Sequence, residues 1–273
     1  MVISRVPGGL PVEQHLERVA AEVAQMAADL VRRSIGRAAA AGTKSSPTDV
    51  VTETDVESES LIRRELTDRC PGSAIIGEEL DDVSGANDIG WIVDPIDGTV
   101  NFLYDLPVVA VSIAASVGGR VVAGAVVDVV RGETFSASLG GGSRCDGAPI
   151  SVRAGADLGQ SLVGTGFSYS AERRAQQSAI LNDLLPACRD IRCMGSAALN
   201  MCWVGNGRLD AYFEHDTKPY DYAAGGLIAA EAGAVVELPE DNGLLLSIAA
   251  SPAVFGTVRS YVVPDGRESA SPS

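Results

Sequence analysis

The chain has 273 residues, of which 46% are hydrophobic and 21% charged, and its formal net charge is −15 with a pI near 4.5. This hydrophobic content is enough to bury a sizeable core, which excludes an intrinsically disordered chain. The negative charge opposes binding to nucleic-acid phosphates and to anionic membranes, so we expect neither as a partner. No segment has the pattern of a signal peptide or a membrane helix, and the five cysteines form no C-x-x-C pair. We therefore expect a cytoplasmic protein with reduced thiols.

The first half of the sequence predicts two helices followed by a segment rich in β-strands. Apolar residues recur at helical spacing from Pro11 to about Ala40. A second helix is predicted to start near Thr54, because Thr54 and Glu57 have the spacing of a capping box, and Asp55 then lies in its first turn. Apolar runs at 108–117 and 121–130 flank two glycines and predict a hairpin. The glycine-rich turn at 140–142 lacks the lysine of a nucleotide-binding P-loop.

One strand of this half, with the turn after it, is the most informative part of the chain. Residues 91–93 are apolar and predict a short buried strand, and Pro95 is expected to end its ladder of hydrogen bonds. Asp94 and Asp97 then follow at the carboxyl end of the strand, where their oxygen atoms can converge on one divalent cation. Gly98 allows backbone N–H groups to approach an anion closely. An ordinary turn has the same residue types, so that interpretation stays open.

Beyond residue 160 the pattern alternates between strands and helices, which predicts a layered α/β second half. Strands are predicted at 161–164, 191–194 and 209–213, and helices at about 171–185, from Ser196, and from Asp221 to Ala232. The polar tail at 264–273 is expected to be disordered. We treat residues 1–273 as a single domain with approximate halves at 1–155 and 156–263.

Two further segments carry acidic residues in positions suited to a site for several metal ions. The apolar strand at 74–77 is followed by Glu78 and Glu79, and Asp221 lies in the first turn of its helix. Such a site needs oxygen ligands from several segments of the chain. Two simpler explanations remain, namely a solvated acidic loop for the glutamates and compensation of the helix dipole for Asp221.

Five motifs in this order make the sequence resemble the inositol monophosphatase family, in its bacterial SuhB-like branch. They are residues 44–55, 77–79, 94–102, 195–198 and 220–225. The resemblance implies an α/β fold of the layered α+β kind, in which helices and sheets alternate as a five-layered α-β-α-β-α sandwich.

The resemblance also implies a metal site. Glu78, Asp94 and the backbone carbonyl of Ile96 would hold one Mg²⁺ ion, and Asp94, Asp97 and Asp221 would hold a second. Glu78 would also touch a third, weaker ion, and Mn²⁺ is an alternative to Mg²⁺ because both accept oxygen ligands.

Catalytic and substrate-binding residues follow from the same resemblance. Asp55 and Thr99 are expected to form a hydrogen-bonded pair that helps to activate the attacking water, and with Glu78 they are the predicted catalytic residues. Backbone N–H groups at a helix start suit a phosphate, because orphan donors and the helix dipole both favour an anion there. The residues expected to bind substrate are Gly98, Thr99, Ser196, Ala197 and Glu214.

The expected activity is Mg²⁺-dependent hydrolysis of inositol 1-phosphate to inositol and phosphate, by in-line attack of a metal-activated water. One alternative keeps this chemistry but changes the substrate to histidinol phosphate, fructose 1,6-bisphosphate or 3′-phosphoadenosine 5′-phosphate. Another is a non-catalytic partner of the transcription or RNA-processing machinery. The resemblance further implies inhibition by lithium and a homodimer.

Overall fold

The computed structural model describes residues 11–37, 40–43, 50–155, 157–241 and 244–263. The residues at 44–49 of the first motif and the tail at 264–273 lie outside this range. The helices are α1 (Val12–Ser34), α2 (Glu53–Arg69), α3 (Thr99–Leu103), α4 (Ala171–Leu184), α5 (Ala197–Gly205), α6 (Pro219–Glu231) and α7 (Phe255–Val262). The strands are β1 (Ala40–Thr43), β2 (Val50–Thr52), β3 (Ala74–Gly77), β4 (Ile89–Asp97), β5 (Ala110–Val117), β6 (Arg120–Asp128), β7 (Thr134–Ser138), β8 (Gly142–Cys145), β9 (Ala148–Pro149), β10 (Leu162–Thr165), β11 (Asp190–Cys193), β12 (Ala211–His215), β13 (Val235–Glu237), β14 (Glu240–Asp241) and β15 (Leu244–Ala250).

Two large sheets organise these elements. The seven-stranded sheet has the order β3-β4-β5-β6-β7-β8-β9, and only its β3–β4 pair is parallel. The second sheet has the order β11-β10-β12-β15-β13, with β14 also paired to β15. In it β10 runs parallel to β11 and β12, whereas β15 is antiparallel to its neighbours. Strands β1 and β2 form a separate antiparallel ribbon.

The helices form three layers around the two sheets. Helices α1 and α2 pack on one face of the seven-stranded sheet, and α5 and α6 fill the space between the sheets. Helices α4 and α7 cover the outer face of the second sheet. Packing in the middle is tight, because a Cβ atom added at Gly124 of β6 would lie 3.0 Å from the Cα of Ala224 on α6. The predicted five-layered α-β-α-β-α architecture is therefore confirmed.

The structure corrects the predicted end of the first helix. Helix α1 ends at Ser34 and not near Ala40, which instead begins β1. Gly36 follows with φ of +74°, the left-handed conformation that commonly terminates helices. This break ends α1 although the sequence after it is rich in alanine, which has high helix propensity.

The cap of the second helix also differs from the prediction. The N-cap is Thr52 and not Thr54, and the reciprocal partner is Asp55 in place of Glu57. The Thr52 backbone N–H donates to the Asp55 carboxylate at 2.9 Å, and the Asp55 backbone N–H donates to the Thr52 hydroxyl at 3.4 Å. Asp55 therefore helps to start the helix and is held rigidly at its first turn.

Strand β4 does not end at Pro95, contrary to the prediction. Pairing with β5 is regular up to Asp94 and resumes at Asp97 after an irregularity, so three steps along β4 match two along β5. This is a β-bulge, and a proline in it interrupts no regular ladder bond. Side chains three residues apart on a regular strand point to opposite faces. The extra residue cancels this alternation and allows both aspartates to reach one cleft.

The remaining predicted strands and helices are present to within a few residues. The hairpin of β5 and β6 turns at Gly118 and Gly119, both with positive φ. All five cysteines are free, as expected. In the described part of the chain, no helix is long and apolar enough to cross a membrane.

Candidate active site

A cleft of about 430 Å³ opens between the two halves of the protein, where β4, β11 and β12 end and α3 and α6 begin. Its described lining is strongly acidic. Six carboxylate side chains line it: Glu78, Asp94, Asp97, Glu214, Asp216 and Asp221. Among the described lining residues, Lys218 is the only lysine or arginine, and its ammonium group bonds to Asp216 at 3.2 Å.

Four of these side chains interact electrostatically, namely Glu78, Asp94, Asp97 and Asp221. They are called the carboxylate cluster below. Burial raises the pKa of Asp94 well above its ordinary value, and the charges of Glu78, Asp97 and Asp221 raise it further. Burial also raises the pKa of Asp221 well above its ordinary value, although the backbone N–H of Lys218 donates to its carboxylate at 2.6 Å and opposes that rise. The carboxylate cluster therefore resists being fully ionised without added positive charge.

Asp97 is held by the N-terminus of α5. Its carboxylate accepts hydrogen bonds from the Ser196 hydroxyl at 2.6 Å and from the backbone N–H groups of Ala197 at 3.1 Å and Ala198 at 2.8 Å. Burial raises the pKa of Asp97 to about 6, and these three bonds limit the rise. Ala197 lines the cleft. Ser196 was expected near the substrate, but it is 1% exposed and turns its hydroxyl to Asp97, so its substrate contact stays a prediction.

Asp55 and Thr99 lie in contact although 44 residues separate them. The Thr99 hydroxyl is 3.1 Å from the Asp55 carboxylate and 3.0 Å from the Ile96 carbonyl, so its single proton is within hydrogen-bond distance of both acceptors. Asp55 is fully buried, whereas Thr99 lines the cleft. The pair that the resemblance implied is therefore present as a contact, and its catalytic role stays a prediction.

Gly98 joins β4 to α3 in a conformation that requires glycine. Its φ is +99°, and an added Cβ atom would lie 2.9 Å from the Val108 carbonyl oxygen and 3.0 Å from that of Gly195. The Asn101 amide, which sequence analysis did not identify, donates to the carbonyls of Val108 at 2.8 Å and Met194 at 2.7 Å. It therefore ties this turn to the second half of the chain.

Glu214 lies on β12 and also lines the cleft. Burial raises its pKa to about 7, partly opposed by the Tyr212 hydroxyl, which donates to it at 2.8 Å, and the charge of Asp97 adds to the rise. An added Cβ atom at Gly166 would collide with the Glu214 carboxylate. Glycine at 166 is therefore what leaves space for this side chain, and alternating strand positions explain why Tyr212 and Glu214 share a face.

Residues 166–169 form a further wall of the cleft. Phe167 and Tyr169 line the cleft with side chains that are 37% and 44% exposed. The loop is anchored at Ser168, whose backbone N–H donates to Gln177 at 3.1 Å and whose hydroxyl donates to Asp216 at 3.3 Å. Neither anchor has a local signal, because both join segments that only the fold brings together.

The carboxylate cluster has the oxygen donors that suit a divalent cation. Among the described residues, no three His, Cys, Asp or Glu side chains are already arranged so that they could hold a metal ion. However, the carboxylate cluster offers several buried hard oxygen donors that repel one another. The one described lysine in the lining does not offset this repulsion, because it is bonded to Asp216. A Mg²⁺-like ion would remove that repulsion.

Comparisons with known proteins identify the family of this chain. The model of the inositol monophosphatase family matches residues 12–267. The chain is 49% identical over 227 residues to an inositol-1-monophosphatase of Mycobacterium leprae, covering 77% of each protein. It is 39% identical over 228 residues to a Nus factor SuhB of Pasteurella multocida, covering 81% of this chain and 85% of the relative. The solved structure of a Thermotoga maritima IMPase superposes with a TM-score of 0.82 at 31% identity, covering 91% of this chain and 96% of that one. The chain belongs to the inositol monophosphatase family.

Proposed function

We propose that this protein is a Mg²⁺-dependent phosphomonoesterase that hydrolyses inositol 1-phosphate to inositol and phosphate. Its family is one of phosphatases that use divalent metal ions. The observation that carries the proposal is the carboxylate cluster in the cleft, which Thr99 of the Asp55–Thr99 contact also lines. The relative from Mycobacterium leprae, which is named an inositol-1-monophosphatase, supports the choice of substrate.

The proposed ligands of the metal ions are the residues that the resemblance implied. Glu78, Asp94 and the Ile96 carbonyl would hold one ion, Asp94, Asp97 and Asp221 a second, and Glu78 would touch a third. When bound, such ions supply positive charge to the phosphoryl oxygens and lower the pKa of water. The hydrogen bonds from α5 orient Asp97 before any ion arrives, so the site is partly preorganised.

Thr99 is proposed to orient the attacking water. Its hydroxyl proton is directed toward the Asp55 carboxylate and the Ile96 carbonyl, so the lone pairs of Oγ1 are free to accept a hydrogen bond from the attacking water. Asp55 does not line the cleft and would act through Thr99. Its carboxylate would hold the Thr99 hydroxyl in place and would accept the Thr99 proton as Oγ1 takes one from the water.

The phosphate is proposed to lie at the backbone of Gly98 and Thr99, with the alcohol half toward Ala197 and Glu214. The described lining also contains Glu214 and Asp216, and its one lysine is already bonded to Asp216. Hydroxyl groups can donate to these carboxylates, whereas a second phosphate would be repelled. The cleft therefore favours a polyhydroxy monophosphate over fructose 1,6-bisphosphate or 3′-phosphoadenosine 5′-phosphate.

The test is phosphate release from inositol 1-phosphate, histidinol phosphate and the two bisphosphates, with Mg²⁺ and with EDTA. Asp97→Asn should abolish release. Asp210→Asn is the matched control, because Asp210 is also buried and accepts a backbone hydrogen bond, from Leu162 at 2.8 Å, but does not line the cleft. Release that continues in EDTA, or that survives Asp97→Asn, would contradict the proposal.

A second function as a partner of the transcription machinery is favoured by the relative from Pasteurella multocida, which is named a Nus factor. The net charge of −15 makes a protein surface a better partner than RNA itself. Co-sedimentation of the wild type and of the Asp97→Asn variant with RNA polymerase elongation complexes tests this function separately from catalysis. Failure of both proteins to co-sediment would contradict this second function.

Further parts of the proposal rest on other grounds. Inhibition by lithium, a homodimer and a single domain follow from the family resemblance. Mn²⁺ as a substitute for Mg²⁺ follows from its preference for oxygen ligands, and a cytoplasmic location follows from the cysteine content and the lack of a signal-peptide pattern. Light scattering measures the oligomer, and phosphate release with added LiCl at limiting Mg²⁺ measures the inhibition.

A further inference from the structure

A buried ion pair on α2 holds the loop that follows Glu78. The Glu59 carboxylate is fully buried and accepts the backbone N–H groups of Glu79 at 2.8 Å and Leu80 at 3.3 Å. The Arg63 guanidinium donates to Glu59 at 2.7 Å, to the Leu80 carbonyl at 2.9 Å and to the Asp81 carbonyl at 2.8 Å. Glu59 and Arg63 are called the clamp below. Together they hold three consecutive residues of the loop through both donors and acceptors.

Gly77 gives the clamp the space that it needs. A Cβ atom added at Gly77 would collide with the Glu59 carboxylate and would lie 2.7 Å from the nearer Arg63 nitrogen. The clamp therefore packs directly on the residue before Glu78 and bonds to the residue after it. Both backbone neighbours of Glu78 are fixed by the same two side chains, so the clamp determines where the Glu78 side chain begins.

The same helix carries the Asp55 side chain. Asp55, Glu59 and Arg63 are spaced by four residues, so they lie along one face of α2. Asp55 contacts Thr99 at one end of this row, and the clamp holds the Glu78 loop at the other. One rigid helix thus sets the separation between the Asp55–Thr99 contact and Glu78.

We propose that Glu59 and Arg63 are positioning residues for Glu78, and that the clamp tunes the affinity of the site for its divalent ion. This inference rests on the proposed function, in which Glu78 binds metal. Residues that orient a metal ligand typically change metal affinity by about 10- to 100-fold when they are replaced. If the ion pair were purely structural, its replacement would change thermal stability and leave the Mg²⁺ dependence of activity unchanged.

The experiment compares Glu59→Gln and Arg63→Lys with the wild type. Glutamine keeps the shape of Glu59 but not its charge, and lysine keeps the charge of Arg63 but cannot donate to two carbonyls and a carboxylate in the same fork. Glu231→Gln is the matched control. Glu231 also accepts two backbone N–H groups of a turn, from Gly140 at 2.9 Å and Gly142 at 3.0 Å, but it lies ten residues beyond Asp221 on α6, about 15 Å along the helix axis.

Two quantities are measured for each protein. The first is the Mg²⁺ concentration that gives half-maximal release of phosphate from inositol 1-phosphate. The second is the Kd for Mn²⁺, obtained without substrate from the electron paramagnetic resonance signal of the free ion. Both should rise about tenfold in Glu59→Gln and in Arg63→Lys, with KM for substrate at saturating Mg²⁺ unchanged. Both should match the wild type in Glu231→Gln.

Each alternative outcome has a distinct meaning. If Glu59→Gln does not fold, Arg63→Lys decides the question. Unshifted metal dependence in the folded variants, or an equal shift in Glu231→Gln, would overturn the positioning role while leaving the proposed function intact. A wild type with neither Mg²⁺-dependent release nor Mn²⁺ binding would overturn the proposed function and this inference together.

Discussion

Replacing Tyr212 by phenylalanine should move the pH dependence of catalysis to higher pH. The Tyr212 hydroxyl donates to the Glu214 carboxylate at 2.8 Å. Burial raises the pKa of Glu214 to about 7, and this hydrogen bond keeps the pKa below the value that burial and the charge of Asp97 alone would produce. Phenylalanine removes the donor but keeps the ring, so the change acts mainly on the charged form of Glu214.

The size of the shift follows from the strength of the lost bond. A hydrogen bond to a charged group contributes about 1.5–3 kcal/mol, and one pKa unit corresponds to about 1.4 kcal/mol. The Glu214 pKa should therefore rise by about one to two units. Because the carboxylate form is destabilised, a higher pH is needed to ionise Glu214. The limb of the profile that depends on ionised Glu214 moves toward alkaline pH.

The assay is kcat/KM for inositol 1-phosphate against pH at saturating Mg²⁺. Tyr261→Phe on α7 is the control, because Tyr261 packs in the outer hydrophobic cluster and does not line the cleft. An unchanged inflection in Tyr212→Phe, a shift to lower pH, or the same shift in Tyr261→Phe would refute the reasoning.

Three further predictions concern the rest of the site. Thr99→Val should lower kcat by about 10²–10⁴-fold with little change in KM, because the contact with Asp55 is lost; initial rates measure this, and a kcat near that of the wild type would argue against the water-orienting role. Gly98→Ala should lower both the melting temperature and kcat, since φ is +99° and the added Cβ atom meets two carbonyl oxygens within 3.0 Å; equal melting curves would show that the turn adapts. The metal-free protein should lose stability as pH rises through about 6 and 7, because the pKa of Asp97 (about 6) and of Glu214 (about 7) lies above the ordinary values of 3.8 and 4.5. Mg²⁺ should therefore raise the melting temperature more at pH 8 than at pH 5 in thermal scans against EDTA, and a larger effect at pH 5 would contradict this sign.

Local sequence patterns were sufficient to predict an element wherever its structure depends on residues that are neighbours in the chain. The two glycines at 118 and 119 predicted a turn that the hairpin makes, and Ser196 predicted a helix start that it caps. The strand at 74–77 followed from apolar residue types alone. Sequence analysis made no prediction for β15 or α7, although the apolar run at 244–250 is typical of a buried strand. Its position between β12 and β13 depends on pairing with distant segments.

The candidate active site likewise has features that the sequence predicts and features that depend on the tertiary structure. The presence of acidic residues after strands and at a helix start was readable from the sequence, and so was the family. That Asp94 and Asp97 share a face depends on the bulge at Pro95, which exists only because β5 pairs on both sides of it. The turn of Ser196 toward Asp97 likewise depends on a contact between segments 99 residues apart.

The sequence by itself determined the residue types, the order of the motifs and the period of most strands and helices, since these depend on covalent neighbours and on hydrophobic spacing. Only the tertiary structure decided which carboxylates meet, how far burial raises the pKa of Glu214, and which side chains hold the Glu78 loop. These properties come from desolvation and from hydrogen bonds between distant segments, which exist only after the layers have packed.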